Sequence, residues 1–277
     1  MNNGAWNGSV NNGARNGSVK NWNTEHGKNR RIMQAAEGAL EALFPAKCAI
    51  CGRLLSRDED FLCARCDGKI NYAADGPVCA VCGRPLAFSE SVMCGKCLSG
   101  ENPFCGGAQL FIYDENIKPA IYAFKYKNIR DIGRHIGRRM HERLGETAAA
   151  WNADALIPVP VHKKRYLQRG FNQSEIIADS LGGLLGTPVR ADVLFRVRQT
   201  RPQKQLGTGQ RARNLEGAFR ADREKASGLG RVILIDDIYT SGATLGECAR
   251  VLKDAGTDMI FFLTAAVVVD YERASLP

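Results

Sequence analysis

The chain has 277 residues, 44% of them hydrophobic and 24% charged, with a formal net charge of +9. That length allows one large domain or two smaller ones, and the composition excludes a collagen, a coiled-coil rod and a wholly disordered chain. No run of roughly 18 apolar residues occurs, which excludes a membrane-spanning helix, and the start lacks the basic-then-apolar order of a signal peptide, so a cytoplasmic location is expected.

Asn2–Val10 and Asn11–Val19 are near-identical, Asn/Gly-rich nonapeptides. Such a sequence has little to bury, and residues 1–31 are expected to be disordered. Ile32, Ala36, Ala39, Leu40 and Leu43 follow helical spacing up to Pro45, which predicts a helix over 32–45. Because packing sequence begins at that helix, Met33 is a candidate for the natural start.

Residues 46–104 carry eight of the ten cysteines, as four C-x-x-C pairs: Cys48/Cys51, Cys63/Cys66, Cys79/Cys82 and Cys94/Cys97. The segments 48–66 and 79–97 align without a gap at a period of 31, an internal duplication. Two thiolates two residues apart can face one ion across a tight turn, and Gly52 and Gly83 supply the positive φ such turns need. Four thiolates satisfy tetrahedral Zn²⁺ with no open position, so two structural zinc ions are expected. Disulfides suit a secreted scaffold better, and a thioredoxin-like pair needs one C-x-x-C rather than four. Iron–sulfur ligation stays open, as does cross-braced pairing, although sequential pairing makes each duplicated unit a complete site. Cys105 and Cys248 stand alone and read as small buried hydrophobes.

From residue 105 to 277 the pattern alternates between strands and helices. Ala108–Tyr113 reads as a strand, Asn116–Tyr126 and Ile129–Leu144 as helices, and Ala155–Val161 as a buried strand ending at prolines. Ser174–Leu185 follows as a helix, with Asn172 and Glu175 spaced like a capping box. Val189–Val197 reads as a strand and Arg198–Asn214 as a long basic loop. Arg231–Ile235 is a buried strand, Thr244–Ala255 a helix closed by Gly256, and Met259–Val269 a last buried strand. Continuous apolar strands between helices predict a parallel α/β sheet covered on both faces.

The charge is concentrated. Val161 to Arg220 holds 12 Lys/Arg against 4 Asp/Glu, a block that calls for an anionic partner. In Val232–Leu245, VILIDDIYTSGATL, a buried strand runs into Asp236 and Asp237, and the loop Thr240-Ser241-Gly242-Ala243-Thr244 opens a helix. Free N–H groups and the positive dipole end of that helix form a phosphate cradle at the carboxyl end of a strand. Two acids one loop away suit a sugar diol or a hydrated Mg²⁺. The competing P-loop and dinucleotide motifs are absent.

This segment resembles the PRPP-binding motif of type I phosphoribosyltransferases. With PVPVHKKRYLQRGFNQSEIIA (158–178) and RVRQTRPQKQLGTGQRARNLEGAF (196–219), the chain resembles the ComF family, which joins a cysteine-rich zinc module to a phosphoribosyltransferase-like domain. The resemblance covers Ile32 to about Val269. It implies that Asp236 and Asp237 hold the ribose hydroxyls of PRPP or another phosphorylated ribose. It also implies that Thr240, Ser241, Gly242, Ala243 and Thr244 hold the 5′-phosphate, with Mg²⁺ accompanying PRPP. The loop with His162, Lys163, Lys164 and Arg165 falls where such enzymes bind pyrophosphate. Arg198–Asn214 resembles their mobile loop, which implies a role for Arg201, Lys204, Arg211 or Arg213 at the leaving group, with Arg211 taken as catalytic beside the two acids.

Two readings follow. In the first, the protein is a phosphoribosyltransferase with an unspecified acceptor. In the second, implied by the family's association with DNA uptake, the fold is a phosphate-binding platform for single-stranded DNA, the zinc ribbons are a docking surface, and other DNA-uptake proteins are further partners. Tyr166, Phe171 and Phe219 are the candidate stacking residues there, although such spacing also suits core residues.

Overall fold

The computed structural model describes residues 45–87, 91–200 and 214–269. The Asn/Gly-rich start, Met33 and residues 32–44 of the expected helix lie outside the described residues, as do Arg201, Lys204, Arg211 and Arg213. From Lys47 onward the chain forms one compact unit.

The duplication read from the cysteines repeats bond for bond. In the first copy Cys48 N–H donates to Arg53 O, Gly52 N–H donates to Cys48 O, and Lys47 bridges Leu54. In the second, Cys79 N–H donates to Arg84 O, Gly83 N–H donates to Cys79 O, and Val78 bridges Pro85. Gly52 and Gly83 have φ of 73° and 67°, the left-handed conformation that a glycine adopts freely. Each copy ends in one helical turn, α1 (Ala64–Asp67) and α2 (Gly95–Leu98).

Beyond the ribbons, β1 (Gly106–Ile112) leads into α3 (Lys118–Tyr126) and the long α4 (Arg130–Ala150). Next come β2 (Ala155–Pro158), α5 (Lys163–Arg169) and α6 (Gln173–Leu185). The short β3 (Leu194–Arg196) and β4 (Phe219–Ala221) form an antiparallel pair, followed by α7 (Arg223–Ala226). Strand β5 (Arg231–Tyr239), α8 (Ala243–Lys253) and β6 (Met259–Val267) complete the described chain.

The main sheet has the order β1-β6-β5-β2 and every pairing is parallel. Its strands are apolar on both faces because helices cover both. Ile233 and Ile235 pack with Ile136, Met140, Ile177 and Leu181 of α4 and α6. Val232 and Leu234 face Leu245, Ala249 and Leu252 of α8. Two glycines let α4 approach closely: a Cβ at Gly133 would lie 2.5 Å from the Phe124 ring, and one at Gly137 would lie 2.6 Å from Ser180. Asn172 caps α6 by accepting from Ser174 N–H, as its spacing predicted.

The expected parallel α/β class holds, with differences at the edges. Val189–Val197 is not one strand: Val189 makes an isolated parallel bridge to Leu156, and only Leu194–Arg196 pairs, with β4. Alternating apolar residues do not specify which edge they join, and the chain turns off the main sheet between the two contacts. Strand β5 outruns its predicted end at Ile235, because β6 goes on pairing with it through Ile238↔Ala266 and Tyr239↔Val267. Cys248 is buried, but Cys105 is exposed rather than core. No helix of the described residues is long and apolar enough to cross a membrane.

Each ribbon has its own anchorage. Arg139 of α4 binds Asp60 through Nε and Nη2, at 2.7 and 2.9 Å, and also reaches Asp67 and the Tyr72 hydroxyl. Burial alone would raise the Asp60 carboxyl, but Arg139 holds it below the usual range. The second ribbon sits on β1. Gln109 Nε2 donates to Cys82 O at 2.6 Å, and a Cβ at Gly83 would lie 2.4 Å from Gly107 O.

Candidate functional site

The site begins where a strand loses its neighbour. β2 ends at Pro158 opposite Ile235, with a last bond from Val159 N–H to Ile235 O, while β5 continues to Tyr239. The unpaired edge opens a cavity of about 900 Å³ at the carboxyl end of the sheet, where open α/β folds bind ligands. Asp236, Asp237, Thr240, Gly242 and Thr244 line it, together with Arg165, Lys125, Arg169 and Arg196.

The acid pair is held asymmetrically. Asp236 Oδ1 accepts from Asp237 N–H at 2.8 Å and from Ser174 Oγ at 3.3 Å. Asp237 Oδ2 pairs with Lys125 Nζ at 2.8 Å, both side chains being largely covered. Burial, and then the charge of Asp237, push the Asp236 carboxyl up to about 7 against the pull of those donors and of Lys125. Two adjacent carboxylates with one fixed cation can accept from a diol while sharing little charge.

The following loop turns directly into α8. Gly242, at φ 78°, is the N-cap of α8, and a Cβ there would lie 2.7 Å from the Tyr239 hydroxyl. Ser241 Oγ accepts from Ala243 N–H at 3.4 Å. The loop divides between two clefts. Thr240 and Thr244 face the main cavity, Ser241 and Ala243 line a smaller cleft against the second ribbon, and Gly242 borders both.

The predicted pyrophosphate loop is helical from Lys163 on. His162 caps α5 by accepting Lys164 N–H on Nδ1 at 3.2 Å. Arg165 reaches the main cavity, Lys163 lines a neighbouring cleft with Tyr166 and Arg196, and Lys164 is exposed. Phe171 and Phe219 are buried core residues, whereas Tyr166 is exposed.

Sequence reasoning missed Lys125 and Arg196. Arg196 Nη2 donates to Thr200 Oγ1 at 2.6 Å, and its guanidinium lies 5.1 Å from the Phe219 ring centroid. Its Nε is buried without a partner among the described residues, and burial, then Arg165, lower its pKa. Such a donor beside the cavity suits an anion. The only signal for Lys125 was a charge among the apolar residues of the 116–126 helix pattern.

The cysteines form two quartets, Cys48/Cys51/Cys63/Cys66 and Cys79/Cys82/Cys94/Cys97, in each of which all sulfurs lie within 4.8 Å of one another. Pairing is thus sequential. The Sγ separations of 3.7 Å for Cys51–Cys63 and 3.6 Å for Cys82–Cys94 match the edge of roughly 3.8 Å for a tetrahedron with Zn–S bonds of about 2.3 Å. Without a cation the thiols cannot ionise together. The backbone of Cys66 and then Arg53 draw Cys63 down to about 6, while burial pushes Cys66 up to about 12. The hydrogen bond from Cys82 draws Cys94 down to about 4 and raises Cys82 in turn. The donor set fits zinc, which would cross-link each ribbon.

Residues 39–98 match the double zinc ribbon domain family. The match and the geometry therefore define a class: a double zinc ribbon joined to a parallel α/β domain with a cavity at the carboxyl end of its sheet. Three relatives narrow this. Competence protein F of Haemophilus influenzae is 30% identical over 152 residues, 53% of this chain and 66% of that one. DNA utilization protein YhgH of Salmonella typhi is 36% identical over 103 residues, 37% of this chain and 44% of that one. Competence protein ComFC of Bacillus subtilis is 36% identical over 101 residues, 36% of this chain and 39% of that one. The chain belongs to the ComF family, and it spans less than two thirds of the length of each of these relatives.

Elemental analysis of the purified protein should find about two zinc ions per chain, falling to about one in Cys48→Ser and in Cys79→Ser; iron, or no metal, would contradict the site. A second expectation concerns pH. A carboxyl whose folded pKa lies above its unfolded value, near about 3.9, favours the fold fully below that value and loses this contribution as pH rises through about 7. Asp236→Asn should therefore raise Tm over wild type most at pH 8, with the gain shrinking toward pH 5 in thermal denaturation.

Proposed function

We propose that the chain binds PRPP, or a closely related phosphorylated ribose, with Mg²⁺, and that it transfers the phosphoribosyl group. The observation that carries this is the placement of Asp236 and Asp237 on the stretch of β5 that has β6 on one edge and an open edge on the other, in one cavity with the loop that caps α8. In this reading the acids accept from the ribose hydroxyls and Thr240–Thr244 hold the 5′-phosphate. Arg165 and Arg196 face the diphosphate. The carboxylates are hard oxygen donors, the kind a hydrated Mg²⁺ takes.

In the transfer, the bond from ribose C1 to the pyrophosphate oxygen breaks and a bond to the acceptor nucleophile forms. The nucleophile's proton leaves to solvent. Pyrophosphate departs with the electron pair of the broken bond, so cations around it stabilise the charge that develops. Arg211, with Arg201, Lys204 and Arg213, is assigned to that leaving group on the family resemblance. The protein's contribution is chiefly position and electrostatics.

One observation favours a second reading, a single-stranded DNA platform in DNA uptake. Tyr122 and Tyr126 are exposed with ring centroids 4.8 Å apart, and the Arg169 guanidinium lies 5.1 Å from the Tyr126 centroid. Tyr126 and Arg169 both border the cavity. Aromatic rings beside cations suit unpaired bases and backbone phosphates, and two relatives bear competence names and one a DNA-utilization name.

Calorimetric titration with PRPP–Mg²⁺ and, separately, with an oligothymidylate tests both. Asp236→Asn combined with Asp237→Asn should lower PRPP affinity at least tenfold, since charge-assisted hydrogen bonds contribute about 1.5–3 kcal/mol each. Zinc content should not change. Oligonucleotide affinity should hold or rise, because the change frees Lys125. A wild type that binds the oligonucleotide but not PRPP–Mg²⁺ would overturn the first reading in favour of the second.

A further inference from the structure

The two ribbons are copies at a period of 31, so Arg53 corresponds to Arg84 and Arg65 to Lys96. Their partners have diverged. Arg53 turns back on its own ribbon, to Glu59, and Arg65 is exposed. Arg84 and Lys96 leave their ribbon for the loop between β5 and α8. Arg84 Nη2 donates to Thr240 O at 2.7 Å, Nη1 donates to Val268 O at 3.4 Å, and the guanidinium lies 4.9 Å from the Tyr239 ring centroid. Lys96 Nζ donates to Ser241 O at 2.6 Å. Two consecutive carbonyls of the loop thus point at two cations of the second ribbon.

The direction of those carbonyls has a consequence. In a planar trans peptide the C=O of one residue and the N–H of the next point opposite ways, and no described peptide is cis. With Thr240 O and Ser241 O drawn to the ribbon, the N–H groups of Ser241 and Gly242 point away from it. Away from the ribbon lies the main cavity, which Thr240, Gly242 and Thr244 line, while Lys96 and Ser241 line the cleft on the ribbon side. A flip of either peptide would swap a donor for a carbonyl oxygen facing the ligand and would strand a cation. Gly242, with φ 78°, has the freedom to make such a flip easy unless something opposes it.

We propose that Arg84 and Lys96 are positioning residues that hold the Thr240–Ser241 and Ser241–Gly242 peptides with their N–H groups toward the anion, so that the second zinc ribbon, and not the first, sets the affinity of the phosphate loop. This rests on the reading of that loop as the 5′-phosphate site. The ribbon itself is rigidly seated for the task, because Gly83 and Cys82 press on β1 through Gly107 O and Gln109. Cationic donors on the two carbonyls also polarise the peptides and strengthen the N–H groups as donors.

The test uses the full chain with zinc bound. Arg84→Met, Lys96→Met and the double variant are compared with Arg53→Met and Arg65→Met at the corresponding positions. Lys96 is exposed, so its variant keeps the fold even if Arg84→Met does not. Hydrogen exchange of a peptide spanning residues 239–246 is read without ligand, zinc content is read by elemental analysis, and PRPP–Mg²⁺ affinity is read by calorimetry. The expected result is faster exchange and an affinity loss of about tenfold or more in the second-ribbon variants, neither in the first-ribbon variants, and two zinc ions throughout. Unchanged loop exchange in Lys96→Met and the double variant overturns the proposal, as does unchanged affinity where wild type binds. If wild type does not bind PRPP–Mg²⁺ at all, the phosphate-site reading fails, and exchange alone then decides whether the ribbon holds the loop.

Discussion

Strand β5 is paired on both edges only as far as Ile235, and the cavity at the carboxyl end of the sheet follows from that limit. Up to Ile235 the strand lies between β2 and β6 and is apolar on both faces, since helices cover both. Beyond it β6 alone continues, so the chain stays extended but gains an open edge. Two adjacent carboxylates could not stand in the covered part of the sheet without large desolvation. At the open end they face a cavity, and Lys125 and Ser174 reach them from α3 and α6. The same edge leads the chain into the turn at Gly242 and the N-terminus of α8.

The ribbons enlarge a domain whose main sheet has four strands among the described residues. Each is too small to fold on apolar burial alone, and a four-thiolate site supplies the missing cross-link. Duplication yielded two such units with one internal geometry and two different attachments. The first is tied to the outside of α4 through Arg139, whose partners Asp60, Asp67 and Tyr72 all belong to the segment around α1. The second is tied to β1 and to the loop after β5. Attachment therefore differs where the internal geometry does not, since surface residues can change partners without disturbing the ligands.

Much of the fold was legible locally. The C-x-x-C spacing with Gly52 and Gly83 encodes a knuckle that any context would preserve. The runs RVILI and MIFFLTAAVVV are too apolar for any place but a covered sheet. Asn172 caps α6 because the cap is a contact between near neighbours in the chain. The reading failed where a choice depended on a distant partner. Alternation in Val189–Val197 was real, but the edge it met was split between Leu156 and β4. Lys163–Arg165 fell in a loop on the family resemblance, whereas they lie in the short α5 that His162 caps.

By itself, the sequence determined the four cysteine pairs, the acid pair, the loop that opens α8 and the parallel class, because each is a matter of residue type at short spacing. The tertiary structure alone decided which cations complete the site. Lys125 comes from a helix far upstream of Asp237, Arg196 from a strand outside the main sheet, and Arg84 and Lys96 from a ribbon distant in sequence from the loop they hold. A lysine or arginine carries no local mark of its partner. Its long side chain is decided by whichever opposite charge or carbonyl the packed elements bring within reach, and that depends on where the sheet order and the ribbon's seat on β1 place them.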